Sequence, residues 1–201
     1  GTVREMKGHM YHVMVAPDYT PDALRQLKRR KDLRIMRWTE HGPRQPMHFE
    51  AAPVWGMDRG YLVQTPDHSP GDDLQMHVVS NKQPTDADLV QLRFGLRAIR
   101  HLKSNAILLV NKNRLIGLGS GQVNRVNAVR HAVEQAGPAA QNAYLISDAF
   151  FPFADGPEAA LNAGVRAIVS VAGSIRDQEV VDTVDKYEGI LVFVDERHFK
   201  H

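Results

Sequence analysis

Ala106-Ile-Leu-Leu-Val-Asn-Lys-Asn-Arg-Leu-Ile-Gly-Leu118 is the stretch on which the fold turns. Two short apolar runs, 106–110 and 115–118, flank the polar Asn111-Lys-Asn-Arg114. Short apolar runs joined by a few turn-forming residues read as a β-hairpin. Ahead of it, Thr85 caps a helix whose Leu89, Leu92, Leu96 and Ile99 recur at spacings of three and four. Behind it the pattern predicts a helix from about Asn124 to Ala136 and a strand from Ala143 to Ile146. A short helix around Glu158 to Asn162, strand Ala167 to Val171, helix Arg176 to Tyr187 and strand Ile190 to Val194 follow. Helix, hairpin and then three helix–strand units predict an α/β fold with a largely parallel sheet covered by helices.

The earlier residues are less regular. Tyr11 to Ala16 reads as a strand, and Thr20-Pro21 as the cap and first turn of a helix to about Lys31. Leu33 to Trp38 is a second strand. Residues 39–59 are rich in proline, glycine and histidine and carry little periodicity. Tyr61 to Thr65 and Gln75 to Val79 read as strands separated by the turn-forming Pro66-Asp-His-Ser-Pro-Gly71. The organisation read from this is a smaller N-terminal α/β arm, residues 1–83, continuous with a regular subdomain, residues 84–201.

Composition sets outer bounds. The 201 residues suit one large domain, or one domain with an added arm, and 43% hydrophobic with 24% charged residues is ordinary for a globular protein. A net charge of +2 gives no argument for nucleic acid. The basic run Arg25, Lys28, Arg29, Arg30, Lys31, Arg34 and Arg37 has no interleaved aromatics, so it reads as a solvated face. Absent cysteine excludes disulfides and cysteine-based zinc sites and agrees with a reducing compartment without proving one; a cytoplasmic location is the expectation. No apolar run reaches a membrane span, and there is no signal-peptide pattern. The sequence opens at Gly1 without a methionine, which leaves the native start open.

Several motifs carry possible chemistry. Ser147-Asp-Ala-Phe-Phe-Pro-Phe153 puts aromatics at a strand exit, where large apolar faces need a cover. Gly173-Ser-Ile-Arg-Asp-Gln178 repeats the arrangement of strand, small turn and charged helix start. Gly117-x-Gly119-x-Gly121 precedes a helix and could present bare amides to an anion, but it lacks the third glycine of a dinucleotide fingerprint. A tight turn into the helix is its commoner meaning. Arg125 could grip a phosphate or carboxylate, or be an ordinary helix residue. Asn105, in Lys103-Ser-Asn105, could end a helix or point its amide into a cleft. His9-x-x-His12 has no carboxylate-flanked partner set, so no metal is expected. No Ser–His–Asp or Gly-x-Ser-x-Gly pattern is present. In an open α/β sheet the ligand lies at the carboxyl ends of the strands, so 119–125, 148–153, 172–176 and 195–199 could border one cleft.

Taken together, Lys103-Ser-Asn-Ala106, Gly117-x-Gly-x-Gly-Gln-x-x-Arg125, the two motifs above as far as Glu179, and the ending Arg197-His-Phe-Lys-His201 resemble the AICAR transformylase portion of the bifunctional AICAR transformylase/IMP cyclohydrolase family. Val15-Ala-Pro-Asp-Tyr19, Leu62-Val-Gln64 and Gln83-Pro-Thr85 extend the likeness upstream. The resemblance implies a cytidine-deaminase-like layered fold, without deaminase chemistry, since no cysteine is available for its zinc. It implies formyl transfer from the co-substrate 10-formyltetrahydrofolate to the amine of AICAR. It places Asn105 near that amine as an assisting catalytic residue, with Arg125, Phe150, Arg197 and Phe199 on the nucleotide. It places Val126, Phe151, Pro152, Asp155 and Ser174 near the folate.

The chain departs from the family too. It has no match to the family's Arg-Tyr-Gly-x-Asn-Pro-His-Gln segment, nor to the Lys-His-x-x-Pro-x-Gly segment that handles protons, and no cyclohydrolase domain. Arg59-Gly60-Tyr61 stands where the family usually has two glycines. AICAR's amine is a weak nucleophile, so the reaction needs a base near it and donors toward the oxyanion. The sequence offers Asn105 as a donor and no convincing base; His198 and His201 are near the right motif. Three hypotheses follow. One is a piece of a split transformylase, as a homo-oligomer or in complex with a chain carrying the missing half. The others are a non-catalytic AICAR- or folate-binding module and an enzyme acting through its own histidines.

Overall fold

A computed structural model of the chain describes residues 2–6, 11, 13–31, 33–37, 54–57, 60–64, 67 and 74–200. The histidines His9, His12 and His201, and the Pro66–Gly71 turn apart from Asp67, lie outside them. The chain divides into two units, Gly1–Phe49 and Glu50–His201.

In the first unit, helix α1 (Thr2–Glu5) precedes strand β1 (Val13–Ala16), helix α2 (Pro21–Leu27) and strand β2 (Arg34–Arg37). The strands pair in parallel, Val13 opposite Arg34 and Ala16 opposite Arg37. The Thr20 side chain accepts from the Ala23 amide at 3.2 Å, and Pro21 supplies the first helical residue, as its fixed φ favours. The Tyr19 hydroxyl lies 3.1 Å and 2.9 Å from the carbonyls of Met14 and Met36, tying the two strands together. In the basic run, Arg25 and Arg37 pair with Asp22 and Asp18 at exposed positions.

The second unit opens with an antiparallel hairpin, β3 (Val54–Met57) and β4 (Gly60–Val63). The remaining strands are β5 (Met76–Val78), β6 (Ile107–Asn111), β7 (Arg114–Gly119), β8 (Tyr144–Ser147), β9 (Ala167–Val171) and β10 (Ile190–Val194). They form one sheet in the order β5-β10-β9-β8-β6-β7. Only the β8–β9 and β9–β10 pairings are parallel; the other three are antiparallel. The expectation of a largely parallel sheet is corrected here. The predicted hairpin brings two antiparallel strands, and β5 adds itself antiparallel to β10. The hairpin turn has only two residues, Lys112 and Asn113, at φ 50° and 54°. Two positive φ values in a two-residue turn match the right-handed twist of the strands it joins.

Helices α3 (Asp86–Ile99), α4 (Arg125–Ala136), α5 (Asp155–Asn162) and α6 (Asp177–Lys186) cover the sheet. Successive strand residues point to opposite faces, and both faces are apolar, as a sheet sandwiched between helices requires. Ile107, Leu109, Leu145, Ile168 and Leu191 meet Ala128, Val129 and Ala132 of α4 and Val180 and Val184 of α6. Leu108, Val110, Ile146, Val169 and Val192 meet Leu92, Leu96 and Ile99 of α3. The layers are thus helix, mixed sheet and helices, an α/β architecture. Among the described residues, no helix is long and apolar enough to cross a membrane.

Asp88 anchors α3 to the sheet. Its carboxylate accepts from the Thr85 amide and hydroxyl, closing a capping box. It also accepts from the Tyr144 hydroxyl at 2.7 Å and from Arg166 at 2.8 and 3.1 Å. Burial works against the charge, but the hydrogen bonds from Arg166, Thr85 and Tyr144 win and hold Asp88 well below the ordinary carboxylate value of 3.8. Burial, and then the bond to Asp88, push Tyr144 up to about 12. A depressed folded value means that this stabilisation is present above the ordinary value and is lost as the pH falls toward the folded one. Asp88→Ala is expected to lower stability at pH 7 by about 3 kcal/mol, since it removes a cap and leaves a buried phenol and a partly screened guanidinium. In urea titrations the gap between wild type and variant should shrink below about pH 4. A gap that holds constant down to pH 3 would exclude the ionised Asp88 as its source.

Candidate active site

One edge of the sheet gathers the motifs. Ile107, at the start of β6, lies opposite both Gly119, at the end of β7, and Ser147, at the end of β8. The parallel strands β9 and β10 end on the same edge. Backbone hydrogen bonds lace the loops there. The Gly121 amide donates to the Lys103 carbonyl at 2.7 Å, and Asn105 and Gln122 exchange bonds at 3.3 Å. The Asp148 amide donates to Ala106, the His198 amide to Asp148, and the Ser104 amide to Lys200.

At its centre is a polar chain. Asn124 caps α4 by accepting from the Asn127 amide, so Arg125 starts the helix and its side chain turns inward. Arg125 is 7% exposed. Its guanidinium donates to the Ser147 hydroxyl at 2.9 Å, to Asn105 Oδ1 at 3.0 Å and to the carboxylate of Asp148, which is 0% exposed. The Asn105 Nδ2 donates to the carbonyls of Gln122 at 3.0 Å and Val123 at 3.2 Å. Both faces of the Asn105 amide are therefore fixed. Its N–H groups are engaged, so the expectation that Asn105 offers a donor does not match the geometry. What remains is the second lone pair of Oδ1, an acceptor. Arg125 likewise directs its hydrogen bonds inward, where it holds Asn105 and neutralises Asp148.

The aromatic wall lies beside this chain. The half-buried Phe150 carries the Arg197 guanidinium 5.0 Å from its ring centre, and Phe153 carries Arg176 at 4.7 Å. Such stacks fix a cation while leaving its edge able to bond an anion. Phe199 is half-buried, and its carbonyl accepts from Gln64 Nε2. Phe151 points the other way, into the core against Gly156, so its ring has no open face. Val126, Pro152, Asp155 and Ser174 sit on the loops and helix starts along the edge, Pro152 and Asp155 exposed. Asp177, which the motif reading left without a role, accepts from the amides of Gly173 and Ser174 and shapes the β9–α6 loop.

The glycines of 117–121 have a different task from the anion loop considered above. Gly117 and Gly119 belong to β7, where the backbone of α4 passes against them. Sequence reading also gave no role to Asp148 and Ser147, although both stand in the quoted motif. Buried within the same edge, His198 (1% exposed) lies with Nδ1 2.7 Å from Asp67 Oδ2. Asp67, Glu196 and His198 bring possible metal-ligand atoms within 4.8 Å of one another, the one such group among the described residues.

A family model described as AICARFT/IMPCHase bienzyme matches residues 1–135. The bifunctional purine biosynthesis protein PurH of Desulfitobacterium hafniense is 43% identical over 196 residues, covering 98% of this chain and 37% of that protein. The PurH of Chloroflexus aurantiacus is 40% identical over 200 residues, 94% of this chain and 37% of that one. For Shouchella clausii the figures are 38% over 200 residues, 100% and 38%. The chain thus spans a little over a third of the length of these relatives. Among solved structures, Acinetobacter baumannii RibD, form 2, is similar at 19% identity with a TM-score of 0.35, over 46% of this chain and 30% of that one.

Proposed function

The chain belongs to the AICARFT/IMPCHase bienzyme family, and on that premise we propose that it is part of a cytoplasmic formyltransferase of purine biosynthesis. In this reading it is the transformylase portion that holds AICAR and 10-formyltetrahydrofolate at the loop-lined sheet edge. The observation that carries the reading is the closed run Asp148–Arg125–Asn105 beside the Phe150–Arg197 stack. The run leaves Asn105 Oδ1 able to accept an N–H from the AICAR amine. Accepting that N–H turns the nitrogen lone pair toward the formyl carbon, and the fixed amide loses no entropy in doing so. Arg197, exposed and stacked over Phe150, would bond the nucleotide's polar groups. Val126, Pro152, Asp155 and Ser174 would border the folate, and Phe151 would support that wall from beneath.

The proton carrier comes from another chain, either a second copy or a polypeptide carrying the Lys-His segment. Three apolar side chains on this edge support a covering partner: Val123 (97% exposed), Ile175 and Phe153. Exposed apolar side chains grouped around a polar site mark a contact surface. Calorimetry is expected to show AICAR binding to the chain alone, weakened at least about tenfold in Asn105→Ala, the loss of a positioned hydrogen bond. Formyl transfer should appear on mixing with a family polypeptide that carries the missing segments. No heat with AICAR sinks the reading.

A non-catalytic binding module is the second reading. It is favoured by the burial of His198, whose ring bonds Asp67 and is closed to a ligand. AICAR binding with no formyl transfer in any mixture decides for it.

A further inference from the structure

Residues 195–200 lie outside any helix or strand, yet Arg197 and Phe199 must stay in place for the edge to hold a nucleotide. An irregular segment keeps one position only where burial or hydrogen bonds tie it down. Most ties here are to backbone. His198 donates to the Asp148 carbonyl at 3.0 Å, Lys200 to Ser104 Oγ at 3.3 Å, and Ser104 to the Lys200 carbonyl at 2.9 Å. The one fully buried side chain of residues 195–200 is His198. Its Nδ1 faces the Asp67 carboxylate, whose side chain is largely covered as well. The other nitrogen, Nε2, is buried with no hydrogen-bond partner among the described residues. Among the described residues, the imidazole is thus held in its pocket by the one hydrogen bond to Asp67.

We infer that Asp67 is a positioning residue. Its hydrogen bond to His198 latches residues 196–200 onto the sheet edge and so keeps Arg197 stacked over Phe150 and Phe199 beside it. The inference rests on the nucleotide reading of this edge only for its functional consequence; the latch itself stands on geometry. With Asp67 gone, a buried ring would have neither nitrogen bonded among the described residues, which favours release of residues 196–200 by about tenfold or more. Release of residues 196–200 carries Arg197 off Phe150 and removes none of the side-chain bonds of Asn105 and Arg125, which run to Gln122, Val123, Ser147, Asp148 and each other.

The test compares wild type, Asp67→Ala and Asp67→Asn by residue-resolved hydrogen exchange and by AICAR calorimetry. In Asp67→Ala the amides of Ser104, His198 and Lys200 should exchange about tenfold faster or more, while those of β9 and β10 keep their protection, and the AICAR Kd should rise by a similar factor. Asp67→Asn can still accept from Nδ1–H and should stay within about threefold of wild type in both. Tail exchange that is unchanged in Asp67→Ala overturns the latch. Faster tail exchange with an unaltered Kd overturns the positioning role. Wild type that binds no AICAR overturns the nucleotide reading instead and leaves exchange to judge the latch. Glu196 completes a group able to chelate a divalent cation, so exchange is also measured in EDTA. Tail protection that vanishes on chelation overturns a latch made by hydrogen bonding alone.

Discussion

Arg125→Met is expected to lower folding stability by about 4 kcal/mol, the cost of leaving a buried carboxylate without its cation. Asp148 is fully buried, and its Oδ2 has no hydrogen-bond partner among the described residues. Arg125 is thus the group that offsets its charge. The reverse single change, Asp148→Leu, strands a guanidinium that is itself nearly buried and should cost a comparable amount. Removing both is a different matter. A well-packed apolar pair often replaces a buried ion pair with little loss, so Arg125→Met/Asp148→Leu should recover most of the stability. Urea denaturation of the four proteins measures the coupling. A single-variant loss under about 1 kcal/mol would mean the pair contributes no more than an exposed one. The double variant then isolates function. Asn105 has lost the donor on its Oδ1, so its amide is no longer aimed. A stable double variant that binds AICAR as wild type does would remove Arg125 from the proposed site.

The regular elements were legible because their signals are local. Thr85 and the leucine spacing mark α3, and the strands at 167–171 and 190–194 have the bounds their apolar runs predict. The hairpin likewise follows from the polar Asn111-Lys-Asn-Arg114, although Asn111 and Arg114 pair as strand residues and the turn narrows to Lys112 and Asn113. What stayed hidden depends on distant partners. Nothing local shows that β6 sits beside β8, or that β5 joins β10, and the strand at 54–57 lies in a stretch without alternation. At the site the same division holds. The motif containing Phe150 and Phe151 stands out, yet which ring faces the core is decided by Gly156 and α5. Arg125 reads as a candidate anion grip, but its partner Asp148 lies 23 residues on and turns its charge inward. His198 and Asp67 are 131 residues apart, and no spacing rule connects them.

Gly119→Ala is expected to be the most damaging single-methyl change, at about 3 kcal/mol or more, an overpacking cost at the top of the usual range. A Cβ there would stand 2.1 Å from the Ala128 carbonyl oxygen and 2.6 Å from its Cα. At Gly117 it would stand 2.0 Å from the Ala132 carbonyl oxygen. Those are backbone atoms of α4, so no side-chain rotation relieves the clash, and the helix must move off β7. Small residues on both sides, glycines on the strand and Ala128 and Ala132 four apart on the helix, allow this close approach. The consequence reaches the site, because α4 carries Arg125 in its first turn. Lifting the helix draws the guanidinium away from Asp148 and Asn105. Gly121 supplies the control. Its φ of +67° disfavours a side chain, but the nearest atom to a Cβ is 4.0 Å away on Lys103. Gly121→Ala should therefore cost only about 1 kcal/mol, a conformational penalty without a clash. Thermal and urea unfolding of the two variants separate the causes. If Gly119→Ala loses no more than Gly121→Ala, the backbone-to-backbone seat of α4 on β7 is not what holds Arg125 at the sheet edge.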